Sequence, residues 1–259
     1  MTEESIAKIR NEVSERFGMP ESPRVDEDWA LMESSRRVVI GNIQEPHCLA
    51  PLIDHTLLSP GATSSDIRAL CQEATEHRFA SVCVNPCRVR LAAGILDDSP
   101  AVVCTVIGFP LGANVPETKA EEALRMAEDG ARELDMVMNI GMAKGGNWEA
   151  VHADVASVVE SVYPLPVKVI LESCLLDDEE IIRASLISKS AGAAYVKTST
   201  GFSKAGATAR AVEIMSAAVG ETVGVKASGG IGDFEKAMAM FEAGATRIGA
   251  SRSLQIIGK

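Results

Sequence analysis

From Leu49 to Ile257, short apolar runs alternate with longer segments of helical periodicity, and the alternation repeats eight times. The runs are Leu49–Ile53, Ala80–Val84, Val102–Ile107, Glu133–Met138, Val167–Leu171, Ala194–Thr198, Val223–Ala227 and Thr246–Ile248. Near-continuous apolarity marks strands buried on both faces, as in a parallel sheet. Their alternation with helical segments marks βα units. The segments between and after them, Thr63–His77, Cys87–Leu96, Val115–Gly130, Trp148–Val162, Asp177–Ala191, Ala207–Ala218, Asp233–Ala243 and Ser251–Ile257, predict the helices. Eight such units in about 210 residues predict an α/β fold of the (β/α)8 TIM-barrel kind. The rival, an open doubly wound sheet, usually carries G-x-G-x-x-G after its first strand. None is present, and the first strand ends in Asp54-His55-Thr56.

Three helix-to-strand joins repeat one pattern, Gly130-Ala131, Gly192-Ala193 and Gly244-Ala245. Glycine supplies the left-handed residue that ends a helix, so these are read as structural and on the barrel face away from the chemistry. Residues 1–48 break the rhythm and predict an N-terminal helical extension to a catalytic barrel of residues 49–259. Ile6, Ile9, Val13 and Phe17 share one helical face, and Gly18 and Pro20 stop that helix. A second helix is predicted over Asp26–Arg37. The extension either covers the bottom of the barrel or mediates a dimer; a homodimer and a homotetramer both stay open.

With 46% hydrophobic but only 4% aromatic residues, the core has to be built from Val, Ile, Leu, Ala and Met. A net charge of −11 argues against general affinity for nucleic acid or an acidic membrane. A few backbone N–H groups can still hold one phosphate. The six cysteines form no C-x-x-C pair, and the four histidines have no zinc-site spacing, so no metal or other cofactor is expected. The first residues have neither the basic nor the apolar run of a signal peptide, and no stretch approaches a membrane span. The expected setting is the cytoplasm.

In barrel enzymes the chemistry lies at the C-terminal strand ends, so polar residues inside these runs are the candidates. They are Asp54 and Thr56, Cys83 and Asn85, Asp135, Lys168 and Glu172, Lys197, Thr198 and Thr200, Lys226 and Ser228, then Gly249 and Ser251. Lysine is rarely buried unless paired. A structural ion-pair network is the plain reading of three strand lysines and an aspartate. Lys197 and Lys226, on adjacent strands, allow a sharper one. Neighbouring ammonium groups disfavour each other's charged form, and a neutral amine can attack a carbonyl to form a Schiff base. Asp135 is the candidate proton shuttle. Spacing and burial alone leave open which lysine attacks. Gly201, Gly229-Gly230 and Gly249-Ala250-Ser251 lie where this fold commonly binds phosphate, with a helix N-terminus expected at Ser251.

Asp54-His55-Thr56, Val82-Cys83-Val84-Asn85-Pro86, Leu134-Asp135-Met136-Val137, Lys168-Val169-Ile170-Leu171-Glu172, Lys197-Thr198-Ser199-Thr200-Gly201-Phe202 and Lys226-Ala227-Ser228-Gly229-Gly230-Ile231 together resemble the motif set of the deoxyribose-phosphate aldolases. The resemblance implies a Schiff-base (class I) aldolase without a metal. It would reversibly cleave 2-deoxy-D-ribose 5-phosphate to D-glyceraldehyde 3-phosphate and acetaldehyde, in deoxyribose phosphate catabolism. It implies Lys197 as the Schiff-base lysine, with Lys226 tuning it and joining Asp135 in proton relay. Asp54, Cys83 and Thr200 would line the pocket, and the backbone at Gly201, Gly229, Gly230, Ala250 and Ser251 would hold the phosphate. Thr56, Lys168 and Gly249 complete the expected substrate-binding set. The chain departs from the family pattern at Gly232, where many members have a basic residue, and at Arg252, where small residues are more usual. It also lacks the C-terminal tyrosine of some members. Arg252 either replaces the missing charge or faces away. Another sugar-phosphate Schiff-base aldolase, and a barrel that binds without turnover, are the competing readings.

Overall fold

The computed structural model describes residues 3–27, 29–31 and 43–259. Eight parallel strands close a barrel in sequence order: β1 (Ile53–Leu57), β2 (Ser81–Val84), β3 (Val102–Ile107), β4 (Glu133–Val137), β5 (Val167–Ile170), β6 (Tyr195–Lys197), β7 (Gly224–Ser228) and β8 (Arg247–Ala250). Strand β8 pairs with β1 to complete the circle. Around them lie α2 (Ser64–His77), α3 (Val89–Ile95), α4 (Pro116–Glu128), α5 (Ile140–Lys144), α6 (Trp148–Val162), α7 (Asp178–Ser190), α8 (Ala209–Val219), α9 (Phe234–Glu242) and α10 (Ser253–Ile256), preceded by α1 (Glu3–Phe17). The predicted TIM barrel is the observed fold.

Helix starts follow the side-chain chemistry. Thr63 with Asp66, and Asp177 with Glu180, form reciprocal capping boxes at α2 and α7. Asn147, Thr208 and Asp233 cap α6, α8 and α9 through side-chain oxygens. On α6 the buried Val151, Val155, Val158, Val159 and Val162 make one apolar stripe against the strands. At the helix ends Gly130, Gly192 and Gly244 have φ of 110°, 90° and 105°, the left-handed conformation the sequence demands there.

The first strand is displaced from its expected place. Leu49, Ala50 and Leu52 are buried, but they sit in a 3-10 segment, Pro46–Leu52. Pro51 lacks the N–H a ladder needs, and pairing begins only at Ile53. Asp54, His55 and Thr56 lie within β1, as expected of the strand's end. The helix expected from Ser251 is a single turn beginning at Ser253. The short α5 was not foreseen, because five residues are too few to show a period.

Apolar packing divides in two. The large core fills the shell between strands and helices, while a small cluster of Leu58, Cys83, Cys104 and Val106, with Phe109 against it, lies on one side of the barrel interior. The other side is charged. Helix α1 buries Ile9 and Val13, and Arg10 donates to Ala217 O at 3.1 Å and Ala218 O at 3.2 Å at the end of α8. Ser190 Oγ donates to Gly18 O at 2.9 Å, and Arg24 N to Gly192 O at 3.0 Å. Trp29 N donates to Asp26 Oδ1 and Ala30 N to Asp26 O, the bonds of a helical start. The rest of the helix expected over Asp26–Arg37 lies outside the described residues. Among the described residues no helix is long and apolar enough to cross a membrane.

Candidate active site

Alternate residues of a strand share a face, so β1 turns Asp54 and Thr56 inward and His55 outward. His55 Nε2 meets Glu73 of α2 at 2.7 Å and is a link between layers. By the same alternation Glu133 and Asp135 of β4, Tyr195 and Lys197 of β6, and Lys226 and Ser228 of β7 face the interior. Strand register aligns Asp135 with Lys168, Lys197 with Lys226, and Lys226 with Arg247.

These residues form one cluster centred on Asp135. Its Oδ2 accepts from Lys197 Nζ at 2.7 Å and from Lys226 Nζ at 2.6 Å. Its Oδ1 accepts from Lys168 Nζ at 2.9 Å and from the Cys104 thiol at 3.2 Å. Asp54 Oδ2 lies 2.5 Å from Lys226 Nζ, and Asp54 Oδ1 accepts from Arg247 Nη1 at 2.7 Å. Glu133 Oε2 lies 2.7 Å from Lys168 Nζ and accepts from Arg247 Nη1 at 3.3 Å. Four cations thus face three carboxylates, and one proton fewer would make the cluster neutral.

Burial disfavours every ion here, and the neighbours decide the outcome. Burial pushes the Asp135 carboxyl up, yet Lys168, Lys197 and Lys226 together hold it well below the usual carboxylate range. Burial likewise opposes the charged forms of Lys168 and Lys226, but Asp135 with the other nearby carboxylates raises both above the ordinary lysine value. The sequence leads one to expect two ammonium groups repelling each other directly. The structure instead inserts one carboxylate oxygen between them, which keeps Lys226 protonated.

Above this cluster a cavity of about 480 Å³ opens at the C-terminal mouth of the barrel, within the usual range for a small-molecule site. Its lining includes Lys197, Thr56, Thr200, Gly201, Gly229, Gly230, Gly249, Ala250 and Ser251. Of the expected binding residues, Asp54, Cys83 and Lys168 do not reach it. All three have no exposed surface: Asp54 and Lys168 belong to the charged layer beneath, and Cys83 to the apolar cluster. Asp135 and Lys226 are also beneath the floor, so Lys197 is the lysine that borders the cavity. The sequence indicates which face of a strand a residue occupies, not its depth.

Several residues of the site were not foreseen. Arg247 and Glu133 stand at the first positions of β8 and β4, where a charge is ordinarily solvent-exposed. The signal was the same as for Lys197, a charge in an apolar strand. Leu57, Leu58, Ser59, Pro60 and Phe202 complete the wall near Thr56 and Thr200. Glu172, which the sequence did single out, is 2% exposed and left-handed at φ 54°; it takes a short hydrogen bond from the Thr200 hydroxyl, which itself accepts from Phe202 N at 3.0 Å. Gly232 and Arg252 prove to be complementary. A Cβ on Gly232 would lie 3.2 Å from Arg252 Cδ and 3.4 Å from its Nη1, so the guanidinium arm occupies the space a side chain at 232 would take.

Among the described residues two donor groups have metal-like spacing, Cys83-Cys104-Asp135 and Asp54-Cys104-Glu133. Their atoms already serve the lysines: Cys104 Sγ accepts from Lys168 at 3.3 Å, and the carboxylates hold Lys168, Lys226 and Arg247. A cation there would have to displace a lysine.

The family model of the DeoC/LacD family aldolases matches residues 48–258. A deoxyribose-phosphate aldolase of Caldanaerobacter subterraneus subsp. tengcongensis is 54% identical over 212 residues, covering 81% of this chain and 92% of the relative. That of Thermotoga maritima is 56% identical over 205 residues, covering 79% and 83%. Among solved structures, a candidate deoxyribose-phosphate aldolase from Coccidioides immitis superposes with a TM-score of 0.82 at 36% identity, over 99% of this chain and 97% of that one. The deoxyribose phosphate aldolase of Aeropyrum pernix, described as tetrameric, gives 0.79 at 37% identity over 86% and 94%. With its motifs in register on the strands of one barrel and its match running through all eight of them, the chain belongs to the DeoC/LacD family of aldolases.

Proposed function

We propose that the chain is a Schiff-base aldolase that reversibly cleaves 2-deoxy-D-ribose 5-phosphate to D-glyceraldehyde 3-phosphate and acetaldehyde, in deoxyribose phosphate catabolism. One observation carries the reading: Lys197 borders the cavity while its Nζ shares Asp135 Oδ2 with Lys226. The neutral amine of Lys197 adds to the C1 carbonyl, and loss of water gives a protonated imine. That imine is the electron sink. The C3 hydroxyl loses its proton, the C2–C3 bond breaks, and its electron pair becomes the enamine on the acetaldehyde fragment. Glyceraldehyde 3-phosphate leaves; protonation and hydrolysis then release acetaldehyde and restore the amine. No step needs a metal. Asp135 accepts from both lysines and is placed to pass protons between them.

The phosphate fits the glycine wall of Gly201, Gly229, Gly230 and Gly249-Ala250-Ser251, where the backbone borders the cavity. Gly201, Gly229 and Gly230 have φ of 85°, 87° and 80°, so a side chain at any of them would be strained as well as obstructive. Arg252, folded over Gly232, adds a cation beside this wall. The test is a cleavage assay that follows glyceraldehyde 3-phosphate from 2-deoxyribose 5-phosphate, with ribose 5-phosphate as comparison. Turnover abolished in Lys197→Ala supports the reading; equal turnover in that variant overturns it.

A further inference from the structure

The N-terminal extension reaches the foot of the charged cluster at Trp29. Arg24 anchors it: its backbone N–H reaches Gly192 O at 3.0 Å, and its stem fills the space over Gly192, where a Cβ would lie 2.8 Å from Arg24 Cγ. Five residues on, Trp29 meets the ring of Tyr195 edge-on, with centroids 5.9 Å apart and planes at 83°. The Trp29 indole N–H is buried and has no hydrogen-bond partner among the described residues.

Tyr195 is fully buried and wedged from several sides. Gly224 makes room for it, since a Cβ there would lie 2.1 Å from the ring. The Arg247 guanidinium lies 5.4 Å from the ring centroid, and Nη2 donates to the phenol oxygen at 3.3 Å. Arg247 Nη1 in turn donates to Asp54 at 2.7 Å, Asp54 meets Lys226 at 2.5 Å, and Lys226 meets Asp135 at 2.6 Å. A continuous series of packed and charged contacts therefore runs from Trp29 to the carboxylate that holds Lys197.

We propose that Trp29 is a positioning residue, which seats Tyr195 under Arg247 and thereby fixes the Asp54–Lys226–Asp135 series behind the Lys197 amine. The extension is on this account part of the catalytic apparatus, closing the barrel from below while substrate enters from above. The inference rests on the Schiff-base reading of the site.

A path of contacts shows adjacency, and coupling needs a double-mutant cycle. The full-length Trp29→Ala, Trp29→Phe, Tyr195→Phe and Trp29→Ala/Tyr195→Phe proteins are assayed for kcat and KM with 2-deoxyribose 5-phosphate, and for thermal unfolding. Small misplacement of catalytic groups is expensive, so kcat falls about tenfold in Trp29→Ala with KM within about twofold. Trp29→Phe, which keeps an aromatic edge, recovers most of the loss, and the double variant is no slower than the worse single one. A lowered unfolding temperature with wild-type kcat, or losses that multiply in the double variant, overturns the proposal. Should Trp29→Ala not fold, Trp29→Phe and Tyr195→Phe decide: wild-type kcat in Tyr195→Phe refutes the path. An inactive wild type sinks this inference together with the functional reading, whereas an active wild type indifferent to Trp29 sinks this one alone.

Discussion

Gly249→Ala adds one methyl group at a crowded point of the site, against the Lys226 stem. A Cβ on Gly249 would lie 2.9 Å from Lys226 Cε and 3.2 Å from Ser228 Cβ. Carbon atoms settle at about 3.5–4.0 Å, so the Lys226 stem has to move by roughly 0.6–1 Å. It has nowhere to go cheaply, because Nζ is held at 2.5 Å by Asp54 and at 2.6 Å by Asp135. Overpacking of this kind costs about 1–3 kcal/mol, or about 2–12 °C in unfolding temperature for a chain of this size. A misplacement of about 1 Å can cost 10²-fold in rate, and kcat should fall by about 10- to 100-fold. Gly94→Ala is the control: no heavy atom lies within 4 Å of its added Cβ, and it sits in α3, where alanine is the better helix former. Steady-state kinetics and thermal unfolding of both variants give the answer. Wild-type kcat in Gly249→Ala, with only KM changed, would refute the claim that Lys226 must stay where it is.

Other perturbations test the rest of the account. Asp135→Asn leaves buried lysines without their carboxylate and should cost about 3–5 kcal/mol at neutral pH by urea unfolding. Because the folded-state pKa of Asp135 is depressed, its contribution is complete above the unfolded value of about 3.9 and is lost as pH falls below it. The variant should accordingly lose less stability than wild type on acidification, and an identical acid slope would contradict this. Asp154→Ala leaves the fully buried Lys119 without its 2.7 Å partner and frees Asn139 N after β4; unfolding should be easier by about 3–5 kcal/mol, and an unchanged urea midpoint would count against it. Arg252→Ala should raise KM for the phosphorylated sugar several-fold and leave kcat nearly unchanged. An unaltered KM would show that the guanidinium does not face the phosphate.

The barrel was legible because burial on both faces leaves its strands apolar, and because glycine marks the return of each of three helices. At Pro51 the apolar run signals burial but not strand, because proline lacks the N–H a ladder needs. The residues proposed to react were legible as charges in those strands. Lys197, Lys226 and Asp135 do come together, and the glycine wall lies where the loops after β6, β7 and β8 put it. Depth was not legible: Asp54 and Lys168 face inward but lie in the charged layer below the cavity, and Cys83 is enclosed in the apolar cluster. Nor was the pairing of Lys226 with Asp54, which joins Asp135 in setting its charge, since β1 and β7 are far apart in the chain. Arg247 and Glu133 were passed over as strand-end charges, and the contact of Trp29 with Tyr195 spans too great a sequence distance for any local pattern to reveal.

The central claim is that Lys197, not Lys168 or Lys226, forms the covalent bond to substrate. Borohydride reduction in the presence of 2-deoxyribose 5-phosphate, followed by peptide mass mapping, tests it directly. The account predicts a single reduced adduct on Lys197, absent from Lys197→Ala. An adduct on Lys226 or Lys168, or turnover that borohydride fails to arrest, would contradict it.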